Sequence, residues 1–141
     1  MAGETVAFRV PGQPIGKGRP RFGNGRAYTP ATTAKAERAA AAIASDAMMD
    51  AGLDPFTGPV SVVIVARYRI PPSWTKKKQT AARSHEIQPG KPDLDNVVKL
   101  ILDACNGVTF EDDAQVVMLE AIKTFSDEPG VHVLVRKEGG P

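Results

Sequence analysis

Apolar and β-branched residues fill Val60-Ser61-Val62-Val63-Ile64-Val65-Ala66-Arg67-Tyr68 almost without interruption, which predicts a central strand with little exposure on either face. A different rhythm runs through Leu94, Val97, Val98, Ile101, Leu102 and Cys105, spaced as one buried face of a helix. Pro92 disfavours the helical region for Lys91, so the chain arrives extended and turns into that helix at about Asp93. Earlier in the chain, Thr29-Pro30 offers an N-cap and a first helical position for the alanine-rich run that closes at Ala51-Gly52. Thr5–Val10 reads as a strand ending at Pro11-Gly12. Ala114–Thr124 and Val131–Arg136 read as the two strands of a hairpin turned at Asp127-Glu128-Pro129-Gly130. The pattern predicts a single α+β domain over residues 1–141, with a mixed sheet of about four strands and two main helices. No internal repeat is visible.

At 141 residues the chain is long enough for one core without disulfide or metal staples. Its single cysteine, Cys105, has no intrachain partner. With no membrane-length apolar run and no signal-like amino terminus, a cytoplasmic location is the expectation. The net charge of +2 conceals a division. Residues 1–91 hold 14 Lys and Arg against 6 Asp and Glu, whereas residues 92–141 hold 4 against 10. This fits a polyanion gripped by one part of the chain while an acidic site works on it. Chance clustering on a solvated surface would give the same count.

The cations sit in two irregular stretches. Gly12–Arg26 is rich in glycine and proline and carries Lys17, Arg19 and Arg21, so it reads as a loop whose backbone and side chains approach phosphates closely. Ile70–Lys91 is a second basic connection, with Lys76, Lys77 and Lys78 beside Trp74, and Lys91 at its end. Nucleic-acid backbone is the natural target of both. Trp74 would stack on a base or anchor the loop to the core. His85 and His132 lack spaced partners and read as solvent-facing.

Asp93, Asp95 and Lys99 fall at helix spacing, and Asp112-Asp113 follow the helix before the next strand. If that strand runs beside the helix start, Asp93, Asp95 and Asp113 converge. Converging carboxylates repel unless cations intervene, and such hard oxygen donors suit Mg²⁺, with Mn²⁺ as a substitute. No Cys/His set points to zinc. A metal beside basic loops implies phosphodiester hydrolysis, with Lys99 placed to meet developing negative charge. The same residues also suit ordinary roles: Asp93 as a helix cap, Asp95 and Lys99 as an i,i+4 ion pair, Asp112-Asp113 as turn solvation.

Pro92-Asp93-Leu94-Asp95-Asn96-Val97-Val98-Lys99, then Leu102-Asp103-Ala104 with Asn106-Gly107, then Asp112-Asp113-Ala114-Gln115-Val116, resembles the RusA-like family of Holliday-junction resolvases. Gly12-Gln13-Pro14, Lys17 to Phe22, Tyr28-Thr29-Pro30 and Pro72-Ser73-Trp74 with Lys76-Lys77-Lys78 extend the likeness over nearly the whole chain. The resemblance implies a homodimeric, Mg²⁺-dependent endonuclease that binds four-way DNA junctions and makes paired symmetric nicks in recombination or repair. It assigns the acidic site to Asp93, Asp95 and Asp113, the essential lysine to Lys99, and a weaker role to Asp112. Some members carry arginines before the first aspartate, where this chain has Lys91-Pro92. Members are often encoded by phages or prophages. Two other readings stand beside it: a junction-binding protein that does not cut, and a nuclease for flaps or other branched DNA.

Overall fold

A computed structural model of the chain describes residues 3–18, 21–23, 26–28 and 31–138. The strands are β1 (Thr5–Pro11), β2 (Arg21–Gly23), β3 (Arg26–Tyr28), β4 (Val60–Arg69), β5 (Val116–Ser126) and β6 (Gly130–Lys137). The helices are α1 (Ala31–Ala51), α2 (Lys76–Arg83) and α3 (Leu94–Cys105), with one 3-10 turn at Asp113–Gln115. The expected α+β domain with a four-stranded mixed sheet is present. Thr29-Pro30, read as the start of the first helix, lies outside the described residues.

The apolar strand β4 sits inside the sheet, whose order is β1-β6-β4-β5. Its even-numbered side chains from Val60 to Tyr68 are buried beneath the helices. Two neighbours satisfy its backbone, β6 antiparallel and β5 parallel. The hairpin expected of β5 and β6 therefore does not form. Both strands are apolar, and each pairs with β4, the strand with most surface to bury, rather than with the other. A parallel neighbour needs a crossover, and α2 and α3 supply it. β5 is left as an edge strand.

α1 packs on α3 and β1 through Ala40, Ala44 and Met48, one turn apart, whose small side chains allow close approach. α3 buries Val97, Val98, Leu100, Ile101, Ala104 and Cys105. Burial pushes the Cys105 thiol up to about 11, so this cysteine is an inert core residue. Both helices lie on one face of the sheet. The opposite face carries Val63, Val65, Leu134 and the cations Arg9 and Arg67 beside His132.

Two stretches read as loops contain regular structure. β2 and β3 pair antiparallel within the glycine-rich basic segment. The lysine run forms α2, started by Thr75, whose hydroxyl accepts the Lys78 N–H at 3.2 Å. Arg83 closes α2 and reaches Asp127 at 3.0 Å, tying it to the turn between β5 and β6.

Candidate active site

The crossover from β4 places the mouth of α3 at the carboxyl-terminal end of the parallel pair β4 and β5, the end at which parallel β–α units commonly carry ligand sites. Three contacts fix it there. The buried Tyr68 hydroxyl donates to the Pro92 carbonyl, while burial and the nearby Asp93 charge raise the phenol's pKa. The Lys17 N–H donates to the Asn96 carbonyl at 2.8 Å. Gly16 lies so close to α3 that a Cβ there would meet Asn96 Cβ at 2.9 Å and Pro92 Cβ at 3.0 Å, which is why no side chain fits. The Lys91–Pro92 peptide bond is cis. Gly16, Lys17, Lys91, Pro92, Asp93 and Asn96 line an open depression of about 390 Å³.

Asp93 occupies the N-cap position of α3, yet its carboxylate makes no capping hydrogen bond. Asp95, in the first turn, accepts its neighbour's N–H, from Asn96 at 3.0 Å, and no other among the described residues. Asp95 and Lys99 form no salt bridge, and Asp93, Asp95 and Lys99 are all exposed. The ordinary roles that spacing offered, a cap and an i,i+4 pair, are thus not taken up. Two carboxylates stand toward solvent at the helix mouth, with the Lys99 ammonium one turn further along.

Asp113 does not join them within one chain. Gln115 donates to the Phe56 and Gly58 carbonyls at 2.9 and 2.8 Å, and Val116 pairs with Val60, so this segment belongs to the start of β4. Asp93 belongs to its far end, through Tyr68. The twelve residues of α3 alone span about 18 Å between the two regions. Among the described residues no three carboxylate, histidine or cysteine side chains come together at metal-binding spacing. Asp112 and Asp113 also differ. Asp112 caps the 3-10 turn in a reciprocal box with Gln115, whereas the exposed Asp113 carboxylate has no partner among the described residues.

The basic residues divide in the same way. Lys17 is already engaged: its ammonium lies 2.6 Å from Glu37 and 3.1 Å from Asp103. Its ammonium fastens the first basic loop onto α1 and α3, and the Glu37 hydrogen bond raises its pKa. Sequence spacing gave no hint of these partners, 20 and 86 positions away. Arg19 lies outside the described residues, and Arg21 is on β2. Lys76 and Lys77 stand exposed on α2, while Lys78 lies over the Trp74 ring, 4.1 Å from its centroid. Trp74 meets Phe125 edge to face at 5.4 Å, so anchoring to the core is one of its roles. Lys91 is exposed at the edge of the depression. His85 is exposed and pairs with Thr124 at 3.0 Å.

A family model described as Endodeoxyribonuclease RusA matches residues 11–136. The chain belongs to the RusA endodeoxyribonuclease family. It is also similar to a Bacillus subtilis (strain 168) protein described as Uncharacterized protein YqaN, at 36% identity over 141 residues, 95% of this chain and 97% of that relative. RusA membership carries endonuclease activity on Holliday junctions and the binding of branched DNA. The matched region spans both basic segments, the mouth of α3 and Asp113. No described helix is long and apolar enough to cross a membrane.

Proposed function

We propose that this RusA-family protein is a Mg²⁺-dependent resolvase that cuts four-way DNA junctions by paired symmetric nicks in recombination or repair. The observation that carries the reading is the pair Asp93 and Asp95, exposed at the mouth of α3 and, among the described residues, committed neither to a side-chain cap nor to an ion pair. The donor set suits the ion, since Mg²⁺ keeps several waters and takes one or two carboxylates together with substrate phosphate. Asp93 and Asp95 would hold it, with Mn²⁺ acceptable to the same oxygens. When bound, the ion lowers the pKa of a coordinated water and polarises the phosphate. Lys99, one turn along α3, offers positive charge to the phosphate as negative charge develops. Lys91, with Lys76 and Lys77 on α2, binds the backbone. Tyr68 and Gly16 hold the helix mouth in position.

Paired cuts in equivalent strands call for a two-fold homodimer. Its surface in this reading is the edge strand β5, where Val117, Met118, Leu119 and Ile122 are 65%, 40%, 45% and 52% exposed. Such an edge is a template for strand pairing. Antiparallel pairing of two β5 strands brings the start of one beside the end of the other. The end of β5 lies at Tyr68, because Phe125 pairs with Tyr68. The partner's Asp113 would thereby reach the end of the sheet that carries Asp93 and Asp95, supplying the third carboxylate that one chain lacks.

Mixed dimers of Asp95→Asn and Asp113→Asn test this arrangement. If Asp113 acts in trans, the mixture regains one intact site and nicks one strand, although each variant alone is inactive. If Asp113 acts in cis, the mixture stays inactive. Competition among junction, flap and duplex DNA separates a resolvase from a general branched-DNA nuclease, and binding without nicks in either Mg²⁺ or Mn²⁺ would leave only a binding protein.

A further inference from the structure

Next to the acidic mouth, and sharing Lys91 with it, is a second pocket of about 360 Å³. Its floor is apolar and aromatic, made by Tyr68, Trp74, Ile87, Pro89 and Phe125, and its rim carries Arg69, Lys78 and Lys91. None of its lining residues is acidic, and none of the three rim cations forms a salt bridge among the described residues. A cationic rim over an aromatic floor suits a group that is flat at one end and anionic at the other. The volume lies in the range of about 300–1,000 Å³ typical of small-ligand sites, enough for one nucleotide and too small for a duplex.

The polar groups add direction. The Gln13 carboxamide oxygen accepts the Arg69 N–H at 2.7 Å, which leaves its NH₂ as a donor at the pocket wall. Lys78 is held over the Trp74 ring, so the rim cation and the floor aromatic are positioned together. Lys123 donates to the Gly90 carbonyl at 3.2 Å and holds the 87–91 wall against β5.

We infer that this pocket receives a single unpaired nucleotide of the DNA strand being cut, its base taking the place of the Lys78 ammonium over the Trp74 ring and its phosphate drawing Lys78, Arg69 and Lys91. The inference rests on the proposed nuclease reading and deepens it. Capture of one unstacked nucleotide beside Asp93 favours DNA whose pairing is already broken at a branch point, and it fixes the neighbouring phosphate near the carboxylates. Stacking on an aromatic supplies attraction that does not depend on base identity. The Gln13 NH₂ adds a donor for a base acceptor.

Trp74 is the only tryptophan in the chain, so its emission reports on this wall directly. The wild-type protein, without divalent metal, is titrated with tetrathymidylate, with an abasic tetramer of the same phosphate number, with a paired duplex, and with inorganic pyrophosphate. Tetrathymidylate is expected to shift Trp74 emission saturably and to bind about 5- to 150-fold more tightly than the abasic tetramer, as stacking of one base implies. Lys78→Gln, on an exposed helix position, should weaken that binding and change the amplitude. Equal affinity for the abasic tetramer, an equal shift with duplex or pyrophosphate, or unmoved emission would each overturn the pocket. Junction cleavage by wild-type protein is measured alongside. Cutting with silent Trp74 overturns the pocket and leaves the nuclease reading standing. A base-dependent Trp74 response without cutting in Mg²⁺ or Mn²⁺ supports the pocket and overturns the nuclease reading.

Discussion

Replacing Lys17 by Met removes the cation that two carboxylates share while keeping much of the side chain's apolar stem. The Lys17, Glu37 and Asp103 side chains are 19%, 30% and 21% exposed. Fully exposed pairs contribute about 0.2–1 kcal/mol, and a truly buried charge stripped of its partner costs about 3–5 kcal/mol. This cluster lies between those limits and nearer the first, since water still reaches every member, so the loss should be about 1–2 kcal/mol. For a domain of this size that lowers the melting temperature by roughly 3–8 °C. Urea midpoints at neutral pH measure the loss, and a double-mutant cycle with Glu37→Gln isolates the coupling. The folded pKa of Lys17 is raised above 10.5, so its contribution is complete below that value and fades only as pH rises through the folded pKa. The effect should therefore be constant from pH 6 to pH 9. A loss below about 0.5 kcal/mol, additive with Glu37→Gln, would refute the clasp.

Further outcomes follow from the same geometry. Lys76→Ala and Lys77→Ala should each reduce the slope of log affinity for junction DNA against log salt by about 1, whereas Lys17→Met should leave that slope nearly unchanged because its ammonium is already neutralised. Gly16→Ala, which forces contact with Asn96 and Pro92, should cost about 1–3 kcal/mol by urea unfolding and slow cleavage along with it. Burial, with Arg67 and Arg9 beside it, holds His132 below its ordinary 6.5, so the unfolded chain binds the extra proton first. Stability should then fall as pH drops through 6.5 toward the folded value, and His132→Gln should flatten that part of the profile.

The elements that bury most were the most legible. The period of Leu94, Val97, Val98, Ile101 and Cys105 could only be satisfied by a helix, and the β-branched run of β4 only by an interior strand. Pairing order was less legible, because alternation in β5 and β6 identifies strands without saying which neighbour each will choose. β5 and β6 took places on either side of β4, so the turn at Asp127–Gly130 joins strands that do not pair with each other. The lysines of α2 drew attention as charges, although lysine is a good helix former and Thr75 was available as a cap. In the glycine-rich segment the pairing of β2 with β3 was hidden because the cations suggested an open loop. The acidic pair was legible as chemistry, but its freedom from ordinary duties was not. Asp93, at the cap position without a side-chain cap bond, and Asp95, without an ion pair among the described residues, distinguish a site from a well-made helix start. Asp113 shows the limit most clearly, since sequence order placed it after α3 and only the topology put it at the other end of the sheet.

The central claim is that the carboxylates at the mouth of α3 cut branched DNA. It is tested most directly with a synthetic four-way junction, end-labelled on each strand in turn and incubated in Mg²⁺ with wild-type protein or Asp95→Asn. The account predicts symmetric nicks in two opposing strands for wild type, and loss of cutting with retained junction binding for Asp95→Asn. Cleavage by Asp95→Asn at the parental rate would contradict it.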